Sequence, residues 1–248
     1  MGGHSHWKGI KEKKGALDKK RAKIFAKLLR AIDSAARTGD SNPDNNPTLF
    51  DAIQRAKDAS MPKDNIDRAI ARAKGAVEGE NWESIMYEGY GPGGVAMLCD
   101  CLTNNRNRTS QDLRAAFRKH GGSLAEPGAV QWQFSRHGVI LVPQSTISED
   151  DIMAAALESG ADDVKDSDGE WEIVTEPAAY ATVKESLQAA GITISSAELT
   201  MVAQNSVPVD GADARSVLKL MEALEDHDDV QSVYANFDIP ESVFADVG

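Results

Sequence analysis

The hydrophobic pattern of this chain changes at about residue 81, from a helical period to an alternation of strands and helices. Before that point, apolar residues recur every three to four positions in three stretches, as on amphipathic helices. These stretches run from Asp18 to Gly39, from Pro47 onward, and from Pro62 to Gly75. Asp and Pro at the starts and Gly at the ends are typical of helix boundaries. Residues 1–80 are therefore predicted to form a small helical bundle.

After residue 81 the pattern predicts short strands that alternate with helices. Their order is strand 94–103, helix 109–121, strand 130–134, strand 138–142, helix 149–159, strand 171–176, helix 179–190, strand 197–204, helix 212–226 and strand 230–237. Elements of this size favour two compact α+β units of ferredoxin-like kind over one large doubly wound sheet. The predicted fold class is α+β and multidomain: an N-terminal helical bundle followed by two small α/β units.

Charge is divided unevenly along the chain, which has a formal net charge of −12. Residues 1–37 contain 11 Lys and Arg against three Asp and Glu, whereas residues 141–248 contain four against 23. One interpretation is a basic arm that meets a polyanion while an acidic body stays away from it. The other is that both segments are ordinary solvated surfaces. Residue spacing has to separate these two interpretations.

The spacing favours a nucleic-acid-binding arm. On helix 18–39, Lys20, Lys23, Lys27 and Arg30 share one face with Lys19 beside it, and the apolar residues occupy another face. A membrane-surface helix has the same pattern, but two further helices are available to cover this apolar face. Upstream, aromatic and basic residues are interleaved: His4, His6, Trp7, Lys8, Lys11, Lys13 and Lys14. Cations neutralise phosphates and an indole stacks on an unpaired base, so all these residues are predicted to contact nucleic acid.

A second basic cluster follows the first predicted strand. Asn104 to Arg108 is predicted as a short polar loop containing Arg106 and Arg108, and Arg114 and Arg118 lie one turn apart on the next helix. Guanidinium groups suit phosphate oxygens and base edges, so these four arginines are also predicted to bind nucleic acid. The alternative is that they pair with Asp112 or Glu126 on a solvated surface.

No motif in the sequence indicates catalysis. Gly89 to Gly94 fits G-x-G-x-x-G, but the context of a dinucleotide site is absent and a tight turn is the better interpretation. Cys99 and Cys101 have neither redox nor metal-site spacing. A Gly2-Gly3-His4 terminus could hold Cu(II) or Ni(II), which we treat as incidental. We predict no enzyme activity, no cofactor and no metal. With no secretory or membrane-spanning segment in evidence, a cytoplasmic protein without membrane partners is expected.

Several stretches of the sequence resemble the YebC family, whose mitochondrial members are translational activators of a cytochrome oxidase subunit. They are GHSHWKGIKEKKGALDKKRAKIFAKLLR (3–30), MPKDNIDRAI (61–70), YEGYGPGGVA (87–96), NRNRT (105–109), GAVQWQF (128–134) and VPVD (207–210). Asn104 departs from the family pattern, which has an acid there. The resemblance implies a non-enzymatic factor of three domains: residues 1–80, residues 81–136 plus 205–248, and an inserted ferredoxin-like domain at 137–204.

The resemblance also implies a role in gene expression. Family members are labelled DNA-binding transcriptional regulators, and others are regarded as ribosome-associated translation factors that relieve proline-rich stalls. We therefore expect a monomeric regulator that binds rRNA, mRNA or DNA, with the ribosome as a candidate partner. Physical arguments favour RNA, because an arm with Trp and His suits unpaired bases. The alternative is a protein-interaction adaptor that uses its acidic C-terminal body.

Overall fold

A computed structural model of the chain describes residues 17–75, 82–167 and 169–239, with the side chains of all of these except 17–20 and 75. Seven α-helices and ten strands lie within these ranges. The helices are α1 Leu17–Thr38, α2 Pro47–Asp58, α3 Lys63–Gly75, α4 Arg106–Lys119, α5 Glu149–Ser159, α6 Tyr180–Ala189 and α7 Gly211–Glu225. The strands are β1 Glu83–Tyr90, β2 Ala96–Thr103, β3 Ser123–Leu124, β4 Phe134–Pro143, β5 Asp163–Ser167, β6 Glu170–Thr175, β7 Ser196–Ala203, β8 Val207–Pro208, β9 Val230–Ala235 and β10 Phe237–Asp238.

The first three helices form a bundle, as the sequence predicts. Ile32, Leu49 and Ala56 are completely buried in its core, which draws only on residues of α1, α2, α3 and the α2–α3 turn. The α2 helix begins as expected, because Asn46 accepts a hydrogen bond from the Leu49 amide and a proline occupies the first helical position. The bundle therefore has an apolar core of its own.

The first sheet joins two distant parts of the chain. Its strand order is β3-β1-β2-β9, all antiparallel, and β9 comes from the C-terminal part of the sequence. Helices α4 and α7 cover one face of this sheet, where Phe117 and Leu218 pack with Cys99 and Cys101 in a single core. Burial raises the pKa of Cys99 to about 12 and also raises that of Cys101, so both thiols remain protonated packing groups.

The second sheet lies between these two parts in sequence. The chain from β4 to β7 follows a β-α-β-β-α-β order, and its antiparallel strands are arranged β5-β6-β4-β7, as in ferredoxin-like units. Helices α5 and α6 pack on it through a core that includes Ile140, Ile152 and Leu187. The mixed α/β character of the chain is thus confirmed. Domain boundaries at residues 80, 136 and 204 stay a prediction.

Two predicted elements are wrong in detail. The helix expected from Thr109 begins at Arg106, because Asn105 caps it one turn earlier. The strand expected at residues 130–134 is instead a short 3-10 turn at Gln131–Gln133, followed by β4. Trp132, which the alternation placed among buried residues, has 65% of its surface exposed.

The strand β1 was not predicted at all. Its Glu83, Glu88 and Gly89 are residue types that are uncommon in strands, yet all eight of its residues pair with β2. Gly91 to Val95 forms the tight turn between these strands, with the Gly91 amide donating to the Val95 carbonyl at 2.8 Å. The Gly89 to Gly94 motif therefore comprises the end of β1 and most of this hairpin turn. Within the described ranges, every helix is too short or too polar to cross a membrane.

Candidate nucleic-acid interface

The second predicted basic cluster lies at the start of α4. The Asn105 side chain accepts a hydrogen bond from the Arg108 amide at 3.1 Å, so Arg106 and Arg108 belong to the first helical turn and not to a loop. Arg108 Nη2 donates to Asp229 Oδ2 at 2.8 Å, and Thr109 Oγ1 donates to the same oxygen at 2.7 Å. Arg108 is therefore paired with a buried carboxylate although its own side chain is 48% exposed, and Arg106 is exposed as well.

One face of α4 presents polar and cationic side chains to solvent. At 100° per residue, four exposed residues fall within about 60° of one another. We call them the α4 face: Asn107, Gln111, Arg114 and Arg118. The opposite side of the helix carries Leu113 and Phe117, which are completely buried. Packing of that apolar side fixes which way the two arginines point.

The two arginines of the α4 face have no protein partner in the described part of the chain. The alternative pairing with Asp112 or Glu126 is not observed there, since Asp112 instead lies 3.3 Å from His227 Nε2. Within that part of the chain, their guanidinium donors are available for an external acceptor. This is the surface that agrees best with the predicted chemistry.

Three cations of α1 make different contacts from those expected. We call Lys23, Lys27 and Arg30 the α1 stripe, and residues 225–229, at and after the end of α7, the acidic loop. Lys27 Nζ donates to the carbonyl oxygen of Glu225 at 2.7 Å, and Arg30 Nη2 donates to that of Asp228 at 2.9 Å. These cations stabilise the negative end of the α7 dipole and satisfy carbonyls that have no helical partner.

Lys23 completes this contact. Its ammonium donates to the carbonyl oxygen of Asp226 and lies 3.4 Å from Asp228 Oδ1. Lys27 is the most enclosed of the three, with 8% of its surface exposed, and burial together with the neighbouring Lys23 ammonium lowers the pKa of Lys27 to about 8. The α1 stripe is therefore engaged by the protein's own backbone and one carboxylate in this structure.

The acidic loop is held from its other side by Asp229. This buried carboxylate accepts from Arg108, Thr109 and Thr103, and its carbonyl accepts from the Leu102 amide at 2.8 Å. Burial raises the pKa of Asp229, but the hydrogen bonds from Arg108 and Thr109 outweigh burial and hold it below its ordinary value. The acidic loop thus lies between the two basic clusters that the sequence predicts, one on α1 and one at the start of α4.

The other residues predicted to bind nucleic acid lie in parts of the chain whose side chains the structure does not describe. His4, His6, Trp7, Lys8, Lys11, Lys13 and Lys14 lie outside the described residues, and Lys19 and Lys20 belong to α1 without described side chains. Their predicted role in nucleic-acid binding therefore stays a prediction.

Arg30 of the α1 stripe also stacks on the ring of Trp82, and the distance from its guanidinium carbon to the ring centroid is 5.4 Å.

An exposed aromatic pair was missed by the sequence reasoning. Trp132 Nε1 and Tyr90 Oη both donate to the Ala129 carbonyl, at 3.1 and 3.2 Å, and both rings are exposed. Glu88 fixes the segment that carries Trp132, by accepting from the amides of Gly128, Val130 and Gln131. Trp132 alternates with Val130 and Phe134 as on the buried face of a strand, so the sequence pattern did not indicate that Trp132 is exposed.

One group of side chains has metal-ligand character. His137, Asp162 and Glu176 place one ligand atom each within 4.8 Å of one another. Both ring nitrogens of His137 already have neighbours, Ser135 Oγ at 3.0 Å and the Thr175 carbonyl at 3.3 Å. Because a ligating imidazole needs one free lone pair, this geometry does not assign a metal.

The fold and this surface define a mixed α/β protein of separate cores that presents arginines on a helix. The "TACO1/YebC protein N-terminal domain" model matches residues 5–76, and the "TACO1/YebC second and third domain" model matches residues 82–237. The chain belongs to the TACO1/YebC family, which confirms the resemblance noted in the sequence.

Similar proteins cover nearly the whole chain. A "probable transcriptional regulatory protein" of Rubrobacter xylanophilus is 52% identical over 100% of this chain and 99% of its own. One with the same name from Saccharopolyspora erythraea is 50% identical over the same shares. The crystal structure of a conserved hypothetical protein from Aquifex aeolicus is 45% identical, covers 90% of this chain and 93% of its own, and superposes with a TM-score of 0.77. The two named relatives are called regulatory proteins and not enzymes.

Proposed function

We propose that the protein is a non-enzymatic regulator of gene expression that binds nucleic acid through the α4 face and its basic N-terminal residues. The observation that carries the proposal is the state of Arg114 and Arg118. Both side chains are exposed and unpaired within the described residues, although the chain has a net charge of −12 and therefore an excess of carboxylates. Two arginines one turn apart match the spacing and chemistry of phosphate oxygens.

RNA is the nucleic acid that we favour. The exposed indole of Trp132 and the N-terminal Trp7 offer faces on which unpaired bases can stack. The acidic segment 141–248 would be repelled by a long duplex, whereas it could lie against basic ribosomal proteins. We therefore propose a translation role at the ribosome in the cytoplasm, with rRNA or mRNA as the ligand. The relatives' names support the alternative of transcriptional regulation on DNA.

The α4 face is tested by replacing Arg114 and Arg118 together with Gln. Binding of a labelled single-stranded oligouridylate of about 20 nucleotides is expected to weaken roughly tenfold at moderate salt. The slope of log K against log salt should fall by about 1.4, because each lost contact with single-stranded phosphate removes about 0.7. Fluorescence anisotropy over a salt series measures both quantities.

A matched pair of substitutions controls for net charge. Lys165→Gln with Arg215→Gln removes the same two charges from the acidic part of the chain and should leave affinity and slope unchanged. Equal weakening by both pairs would contradict a specific role for the α4 face. Ultraviolet crosslinking in cells then separates the two roles: rRNA or mRNA adducts support the RNA proposal, and predominant chromosomal DNA adducts contradict it.

A further inference from the structure

The acidic loop occupies the side of α1 on which the sequence predicts phosphate binding. Each cation of the α1 stripe points at an oxygen acceptor of this loop, and two of the three hydrogen bonds measure 2.7 and 2.9 Å. Three of the four acceptors are backbone carbonyls and the fourth is the Asp228 carboxylate, whose side chain is 74% exposed. Phosphate oxygens are stronger acceptors for ammonium and guanidinium groups than carbonyls are, so a polyanion can compete for the same cations.

Several contacts that tie the bundle to the rest of the chain involve charged side chains. Besides the α1 stripe, they include Arg55 with Asp100 at 3.8 Å and Arg136 with Asp51 at 2.7 Å. The apolar core of the bundle contains no residue from either sheet, and neither sheet's core contains a bundle residue. An interface between separate cores that is held by charges can open without exposing a hydrophobic core.

The junction of the bundle with the two sheets is also loosely filled. A cavity of about 310 Å³ lies there, lined by Asp51 and Arg55 of α2, Asp100 of β2, and Arg136 and Thr200 of the second sheet. The Thr200 hydroxyl is buried and has no hydrogen-bond partner among the described residues. Apolar side chains such as Leu199 and Met201 also line this cavity, so the two sides of the junction are not closely packed against each other here.

We propose that the acidic loop is an internal competitor of nucleic acid: it covers the α1 stripe in the closed arrangement seen here, and a bound RNA strand displaces it. This inference rests on the proposed function and adds its regulation. Because Asp229 anchors the loop beside Arg108 and Thr109, the loop stays with the start of α4, and displacement exposes the α1 stripe on the bundle side of this junction. The RNA affinity of the whole chain is then reduced by the fraction of molecules that are closed.

The substitution Asp228→Lys tests the competition. It places a cation beside Lys23 and Arg30, repels the α1 stripe and removes none of the cations proposed to bind RNA. If about a tenth of the unbound protein is open, affinity for the oligouridylate should rise about tenfold. The slope of log K against log salt should also steepen, because salt weakens the competing contacts of the α1 stripe with the acidic loop in the wild type, and the variant lacks this compensation.

The matched control is Asp213→Lys, which makes the same charge change in the first turn of α7, about 20 Å along this helix from the acidic loop. It should raise affinity only by the small long-range effect of added positive charge. An equal rise in both variants overturns the competition. The two proposals can fail separately. If Arg114→Gln with Arg118→Gln weakens RNA binding while Asp228→Lys and Asp213→Lys change affinity equally, the proposed function stands and only its regulation is contradicted.

A distance measurement provides a second test in the otherwise unchanged chain. Spin labels are attached at Asp67→Cys on α3 and at Glu158→Cys on α5, because both positions are exposed. The native thiols of Cys99 and Cys101 are buried and protonated. Pulsed electron spin resonance should give one distance without RNA and a longer, broader distribution with saturating oligouridylate. A distribution unchanged by bound RNA overturns displacement, whatever Asp228→Lys does to affinity.

Discussion

At the scale of single residues, Glu88 explains why an alternating sequence does not form a strand. This carboxylate on β1 is 2% exposed and accepts hydrogen bonds from the amides of Gly128, Val130 and Gln131 at 2.5, 2.7 and 2.8 Å. Burial raises the pKa of Glu88, but the three amide donors outweigh burial and hold it below its ordinary value. The segment is therefore shaped by one distant charge and not by its own pattern.

Replacing Glu88 with Gln tests this contribution. The amide can accept from only part of the donor set, so the free energy of unfolding should fall by about 2 kcal/mol at neutral pH. Because the folded pKa is below the unfolded one, the stabilisation is present above the ordinary value of 4.5 and is lost as pH falls through the folded pKa. Urea unfolding should therefore show wild type and variant converging in acid.

Glu126→Gln is the matched control for Glu88, since Glu126 is exposed near the same segment. It should change the free energy of unfolding by less than about 0.5 kcal/mol. A gap between wild type and Glu88→Gln that stays constant down to acid pH would contradict the explanation.

At the scale of elements, local signals predicted the helices better than the strands. The three bundle helices were recovered because each has a helical apolar period with Asn, Asp or Pro near its start, and two of them have Gly near the end. Ser148 caps α5 in the same local way, accepting from the Asp151 amide. In contrast, β1 was missed because its pairing with β2 is a tertiary property, and its Gly89 is required by packing and not by a turn.

Gly89 provides an element-scale prediction. A Cβ at this position would lie 2.6 Å from Phe117 Cε1 and 2.9 Å from the Ser123 carbonyl, so α4 packs directly on the bare backbone of β1. Gly89→Ala should lower the free energy of unfolding by about 1–3 kcal/mol, the usual range for overpacking. Thermal unfolding measures this, with Ser84→Ala at an exposed position of the same strand as control. Equal midpoints for the two variants would show that α4 can move away without cost.

At the scale of the whole molecule, opposite charges meet within one chain. The basic first helix and the acidic C-terminal part are far apart in sequence, and Lys23, Lys27 and Arg30 contact residues about 200 positions away. Further ion pairs join α2 to both sheets. The arrangement of the bundle relative to the sheets therefore depends on electrostatics more than the interior of each unit does.

High salt should loosen this arrangement without unfolding the units. At about 1 M salt the screening length falls to about 3 Å, so ionic contacts at the rim weaken while apolar cores do not. The radius of gyration from small-angle X-ray scattering should increase, and the far-ultraviolet circular dichroism should not change. Asp228→Lys should show the larger radius already at low salt. A salt-independent radius for wild type would indicate a permanent junction.

The sequence by itself determined the family, the mixed α/β character, the three bundle helices and which residue types can meet a polyanion. These follow from local periods, caps and the composition of short motifs, which act over a few residues. Only the tertiary structure decided which cations are available. Arg114 and Arg118 point outward, without a partner among the described residues, because Leu113 and Phe117 bury the other side of α4, whereas the α1 stripe is covered by a loop about 200 residues away. Contacts over such separations depend on how the chain packs in space, and no local pattern encodes that packing.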